Sequence, residues 1–155
     1  MNHAGVSRAE WPLTDMDESE KLVTGGCLCG ALRYEARGEP QYAGLCYCGD
    51  CCRASGSAFI AFMGFPGSAV RFSGATRQTR SQSARGSDAV RNFCAICSSL
   101  VFGGVVGQDQ SHTIYAGSLD DPTQFQPRMA IFAANRPAWC AIPEGLTVFD
   151  RMPGG

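Results

Sequence analysis

The chain has 155 residues, is 45% hydrophobic and carries a formal charge of -1, enough for one core and short of the usual two-domain length. Its basic residues are scattered, so a nucleic-acid partner is not expected; no run of about eighteen apolar residues and no basic start with an apolar stretch point to a membrane or to export. The expected location is cytoplasmic, where nine cysteines read as metal ligands or catalytic thiols rather than disulfides.

Residues 1–20 set Glu10, Asp15, Asp17, Glu18 and Glu20 against a single arginine, Arg8, and read as a polar lead-in, partly ordered at most around Trp11. Residues 21–155 are expected to form a single domain. Gly25-Gly26-Cys27-Leu28-Cys29-Gly30 is a tight C-x-C flanked by glycines, followed by a strand over Ala31–Ala36. Tyr42–Cys46 reads as a second strand, entering Cys46-Tyr47-Cys48-Gly49-Asp50-Cys51-Cys52, which holds four cysteines in seven residues. One helical turn is expected over Asp50–Ser55. Ala58–Phe65 is a continuous apolar run, as in a strand buried on both faces. Short strands follow over Val70–Phe72, Arg77–Ser81, Ala89–Phe93, Leu100–Phe102, His112–Ala116 and Met129–Ala133, with Trp139 read as a core anchor. The fold class is mainly β with little helix.

Three thiolates at Cys46, Cys48 and Cys51 can fill three corners of a tetrahedral metal and leave the fourth open. The C-x-x-C of Cys94 and Cys97 supplies two ligands and must borrow two more. Cys27 and Cys29 are the favoured pair, giving one closed four-thiolate site and one open three-thiolate site. A knuckle closed on Cys46 and Cys48 instead, with Cys27, Cys29 and Cys51 sharing a second ion, stays open on spacing alone. Thiolate-rich tetrahedral sites suit Zn2+ best, with iron the second choice.

Gly26-Cys27-Leu28-Cys29-Gly30, Cys46-Tyr47-Cys48-x-x-Cys51, Arg53-Ala54-Ser55-Gly56 and Phe93-Cys94-x-x-Cys97, in this order, resemble the glutathione-dependent formaldehyde-activating enzyme family, which includes relatives of centromere protein V. The likeness runs from about Thr24 to about Asp150. It implies an Mss4-like fold of antiparallel sheets clamped by zinc. It also implies a structural zinc on Cys27, Cys29, Cys94 and Cys97 and a catalytic zinc on Cys46, Cys48 and Cys51. The chain departs from the family pattern at Tyr47 and Ala130, where a histidine is usual, and at Ser98, where glycine is usual.

Three thiolates around Zn2+ leave a net charge of -1, so a bound water is a poorer acid there than on a zinc held by neutral imidazoles, and a thiol is the better guest. The expected activity is that of a carbon-sulfur lyase-type enzyme handling glutathione, or a related small thiol, and an aldehyde. The rival reading is a non-catalytic zinc module that carries thiol adducts or binds a partner protein. Glutathione carries two carboxylates, and Arg53, two residues beyond Cys51, is the expected contact for one of them. Cys52 and Cys140 are spare, with Cys140 read as a core thiol. His112 is expected to be a surface or hydrogen-bonded residue, Asp50 a polar turn residue, and Phe59, Phe62 and Phe65 core packing.

Overall fold

Period-two burial builds most of this molecule. In the computed structural model, which describes residues 20–154, buried positions alternate with half-buried or exposed ones along β1 (Leu22–Gly26), β2 (Arg33–Arg37) and β9 (Ser111–Tyr115), as strands covered on one face require. The expected lead-in, Trp11 included, lies outside the described residues except for Glu20. β3 (Tyr42–Cys46) and β4 (Ile60–Pro66) are buried nearly throughout, and they are the centre of the larger sheet. Between them stands one short helix, α1 (Gly49–Ser55). The remaining strands are β5 (Val70–Ser73), β6 (Thr76–Gln82), β7 (Asp88–Cys94), β8 (Leu100–Gly103), β10 (Met129–Ile131) and β11 (Thr147–Val148).

They form two sheets, one in the order β1-β2-β5 and one in the order β11-β10-β3-β4-β9-β8-β7-β6. The main core, which includes Val23, Leu32 and Tyr34 from the small sheet with Met63, Phe65 and Phe102 from the large one, is continuous between them. The expectation of a mainly β protein with little helix is met. Pairing is antiparallel except at one end of the large sheet, where β10 runs parallel to both β3 and β11. The chain reaches β10 through a long connection from β9, so it can enter alongside β3 in the same direction.

Close approach is needed at two glycines of the central strands. A Cβ on Gly64 would lie 1.9 Å from the Tyr42 ring, and one on Gly44 would lie 2.7 Å from the Met129 carbonyl oxygen. Glycine therefore lets Tyr42 lie flat across β4 and lets β10 dock on β3.

Two sequence readings are corrected. Trp139 is 79% exposed and no core anchor, because it sits in a turn segment between Pro137 and Pro143, outside any strand. The strand expected over Met129–Ala133 stops at Ile131, since Phe132 takes a left-handed conformation, with φ 52°. The other expected strands are present within a residue or two of their limits. Among the described residues no helix is long and apolar enough to cross a membrane.

Candidate functional site

Two groups of cysteine sulfurs stand out, each gathered within 4.8 Å: Cys27, Cys29, Cys94 and Cys97 in one, Cys46, Cys48 and Cys51 in the other. Both could hold metal ions. The partition favoured by spacing is the one the fold brings together, and the alternative grouping is not.

The four-sulfur group joins two hairpins from different sheets. Cys27 and Cys29 lie in the β1-β2 turn, where the Cys27 N–H donates to the Leu32 carbonyl at 2.9 Å. Cys94 ends β7 and Cys97 lies in the turn to β8, closed by a 3.0 Å bond from the Ser98 N–H to the Cys94 carbonyl. Ser98 has φ 64°, a left-handed backbone that favours glycine. The Leu28 N–H reaches the Ser99 hydroxyl at 3.1 Å and ties the turns together. Sulfur separations of 3.6 Å (Cys27 to Cys29) and 3.8 Å (Cys29 to Cys94) match the edge of about 3.8 Å in a tetrahedron with metal-sulfur bonds of about 2.3 Å. Peptide N–H groups point at the sulfurs, from Leu32 to Cys27 at 3.2 Å and from Ile96 and Cys97 to Cys94 at 3.4 and 3.5 Å. The Ser99 hydroxyl, 3.2 Å away, with the Ser99 N–H, holds the Cys97 thiol down at about 5.

The three-sulfur group is made by a strand end and a helix start. Cys46 closes β3, Cys48 is the N-cap of α1, and Cys51 lies in its first turn; the Cys48 sulfur accepts the Cys51 N–H at 3.3 Å. A thiolate at an N-cap does the work usually done by serine or aspartate. Gly56, with φ 67°, ends the helix after two turns. Hydrogen bonds from the Cys46 and Cys51 thiols hold Cys48 down at about 2, while the same bonding from Cys48 pushes Cys46 up. Cys52 points elsewhere, toward the Ala58 carbonyl at 3.3 Å.

All three sulfurs line a cavity of about 650 Å³, whereas none of the four-sulfur group does. Ile60, Phe62, Ile131 and Phe132 pack with Cys46 and Cys48 to form its apolar floor. One rim is the tip of the β6-β7 hairpin, including Ser83 and Arg85, and another is Met152 and Pro153. Tyr115 lines it too, its hydroxyl pushed up to about 12 by burial and so protonated at neutral pH.

Arg53 does not line this cavity; it is exposed in the last turn of α1. The guanidinium beside the sulfurs is Arg91, buried on β7, with Nη2 3.8 Å from the Cys51 sulfur. Sequence reasoning missed it because it is forty residues from Cys51; the available signal was an arginine three positions before a C-x-x-C on an expected strand. Tyr47 and Ala130, the two departures from histidine, both pack with Leu45 and Cys140 in a separate cluster, away from the cavity lining. His112 is buried, with Nδ1 3.1 Å from the Gly103 carbonyl, and belongs to neither sulfur group. Asp50 is exposed on the rim, Cys140 is buried, and Phe62 and Phe65 are buried as expected.

With that geometry in place, the comparison with known families is direct: the model of the glutathione-dependent formaldehyde-activating enzyme family matches residues 22–135. The chain belongs to that family. Its matched span contains both sulfur groups and Arg91, and the family is enzymatic by description. Among solved structures, a crystal structure of a Rhodobacter sphaeroides protein, a structural genomics target, is similar at 24% identity and a TM-score of 0.44, over 63% of this chain and 87% of that one. No curated protein matches the chain.

Proposed function

We propose that this family member is a zinc-dependent carbon-sulfur lyase-type enzyme, acting in the cytoplasm on glutathione or a related small thiol and an aldehyde, and that residues 21–155 work as a single domain. One observation carries the reading: three sulfurs face a cavity large enough for a tripeptide, and the other four do not line it. Cys27, Cys29, Cys94 and Cys97 would hold a structural zinc. Cys46, Cys48 and Cys51 would hold a second, catalytic one, whose contribution when bound is to keep a guest thiol in its nucleophilic, deprotonated form at neutral pH.

The chain's own residues supply the rest. The apolar floor of Ile60, Phe62, Ile131 and Phe132 excludes water from the sulfur side of the cavity. The neutral Tyr115 hydroxyl is a donor for the oxygen of the aldehyde. Arg85, exposed on the hairpin tip, replaces Arg53 as the cation that a glutathione carboxylate would meet. In the forward direction the thiol sulfur forms a bond to the carbonyl carbon, the carbonyl electron pair moves to oxygen, and the proton lost by the thiol ends on that oxygen. The reverse direction breaks the same carbon-sulfur bond and returns the aldehyde.

Exchange between free and adducted glutathione in the presence of labelled formaldehyde, followed by NMR, tests this directly. Acceleration over the uncatalysed exchange by the wild-type protein, lost in Cys51→Ser, is expected. Equal exchange rates with and without the protein would refute it.

A further inference from the structure

The wall of the cavity holds one charge that the proposed reaction does not use. Arg91 is only 7% exposed, and among the described residues it is the only buried lysine or arginine. Its Nη1 donates to the Ser81 hydroxyl at 3.1 Å and its Nη2 lies 3.8 Å from the Cys51 sulfur, while Nε is buried with no hydrogen-bond partner. No carboxylate answers it: the ion pairs among the described residues are Lys21 with Glu39 and Arg33 with Asp120. The acidic residues of the cavity, Asp50, Asp88 and Asp109, are all exposed at its rim.

A guanidinium stays charged at any ordinary pH, and burying one without an anion is strongly unfavourable. Ser81 is neutral, so the anion it faces is the sulfur group. Among the described residues no guanidinium hydrogen-bonds to the four-sulfur group: the donors to its sulfurs are peptide N–H groups and the Ser99 hydroxyl, and Arg33, the arginine near Cys27, is half-buried and paired with Asp120. Four thiolates around a divalent ion are also closer to water, because Cys29 is exposed and Cys97 half-buried.

We propose that Arg91 is a positioning residue that serves as the built-in counter-charge of the three-thiolate site. It would cancel the net negative charge that three thiolates at Cys46, Cys48 and Cys51 leave around a divalent ion, so that the site would accept an anionic thiolate as its fourth partner. The inference rests on the thiol-handling reading above for the identity of that partner. Its effect on the sulfur ligands themselves does not depend on it. A guanidinium on Cys51 withdraws electron density from that sulfur, and removing it raises the energy of the sulfur lone pairs.

Cobalt(II) loaded into the full chain in place of zinc gives a readout independent of turnover. In Arg91→Met the sulfur-to-cobalt charge-transfer absorption of one of two sites should move to lower energy, and glutathione binding, followed through the cobalt bands, should weaken at least tenfold. Arg91→Lys, which keeps the charge without the fork, should recover most of both. A charge-transfer shift with no glutathione binding in any form would uphold Arg91's role and overturn the thiol reading. A folded Arg91→Met that takes two cobalt ions with unshifted absorption and unchanged glutathione affinity would overturn the proposal and leave the thiol reading standing. Should Arg91→Met not fold, the wild-type guanidinium NMR signals decide: those of Arg91 should shift and exchange more slowly with solvent on metal loading, and no response to metal would overturn the proposal.

Discussion

The two sulfur groups use the same side chain for opposite ends. Four cysteines at the tips of hairpins from two sheets meet head-on, away from the cavity's lining, with neutral donors on their sulfurs and a cross-link from Leu28 to Ser99. Three cysteines at the end of β3 and the start of α1 sit at the bottom of a cavity, with an apolar floor on one side and a guanidinium on the other. What separates them is where the chain reverses. A turn can present two sulfurs outward, and two turns facing each other close a shell. A strand running into a helix presents three sulfurs from one segment, and no opposing segment of the described structure adds a fourth.

The sharpest way to break that comparison is to remove one sulfur from each group. Cys94→Ser deletes a fully buried cysteine of the four-sulfur group at the junction of the sheets and, if that group holds the proposed structural metal, should cost more than about 4 kcal/mol. Cys51→Ser should leave the urea midpoint close to wild type and abolish the response to glutathione. Equal destabilisation by the two would show that both groups are scaffolding. A gentler test acts on the four-sulfur turn alone. Ser98→Gly relieves a left-handed serine and should be neutral or stabilising by up to about 1 kcal/mol, measured by the same denaturation, with no change in thiol binding.

The smallest effect concerns the brace near the β1-β2 turn. Arg33 and Thr24, from β2 and β1, both donate to the Asp120 carboxylate, and these bonds, Arg33's first, hold its pKa below the usual value. The group is largely exposed, so Asp120→Asn should cost under about 1 kcal/mol. A carboxylate held low stabilises fully above its ordinary pKa of about 3.9 and loses that contribution as the pH falls through its folded value. The difference between wild type and Asp120→Asn should therefore be present at pH 7 and vanish in strong acid.

Much of this was legible along the chain. The spacing of the cysteines separated seven sulfurs into four and three, because short C-x-C and C-x-x-C segments leave few ways to close a tetrahedron. The apolar run into Phe65 marked β4, and the limits of β3 coincide with its apolar stretch. The missed features depend on placement across the sheet. Arg91 gains its meaning only when β7 brings it against α1, and Arg53, next to the cysteines in sequence, turns outward because the helix rotates it away. Trp139 carries the composition of a core residue but lies where no strand passes, and β11 is two residues long, too short to leave a pattern. Ser98 stood out in the sequence only as a departure from glycine; its left-handed backbone is a finding of the structure.

The division of labour between the groups is tested most directly by counting metal ions per chain while a chelator removes them, with circular dichroism recorded in parallel. Two ions should leave in two phases, the first with the fold intact and the glutathione response gone, the second together with unfolding. A single phase in which metal and structure are lost together would contradict the account.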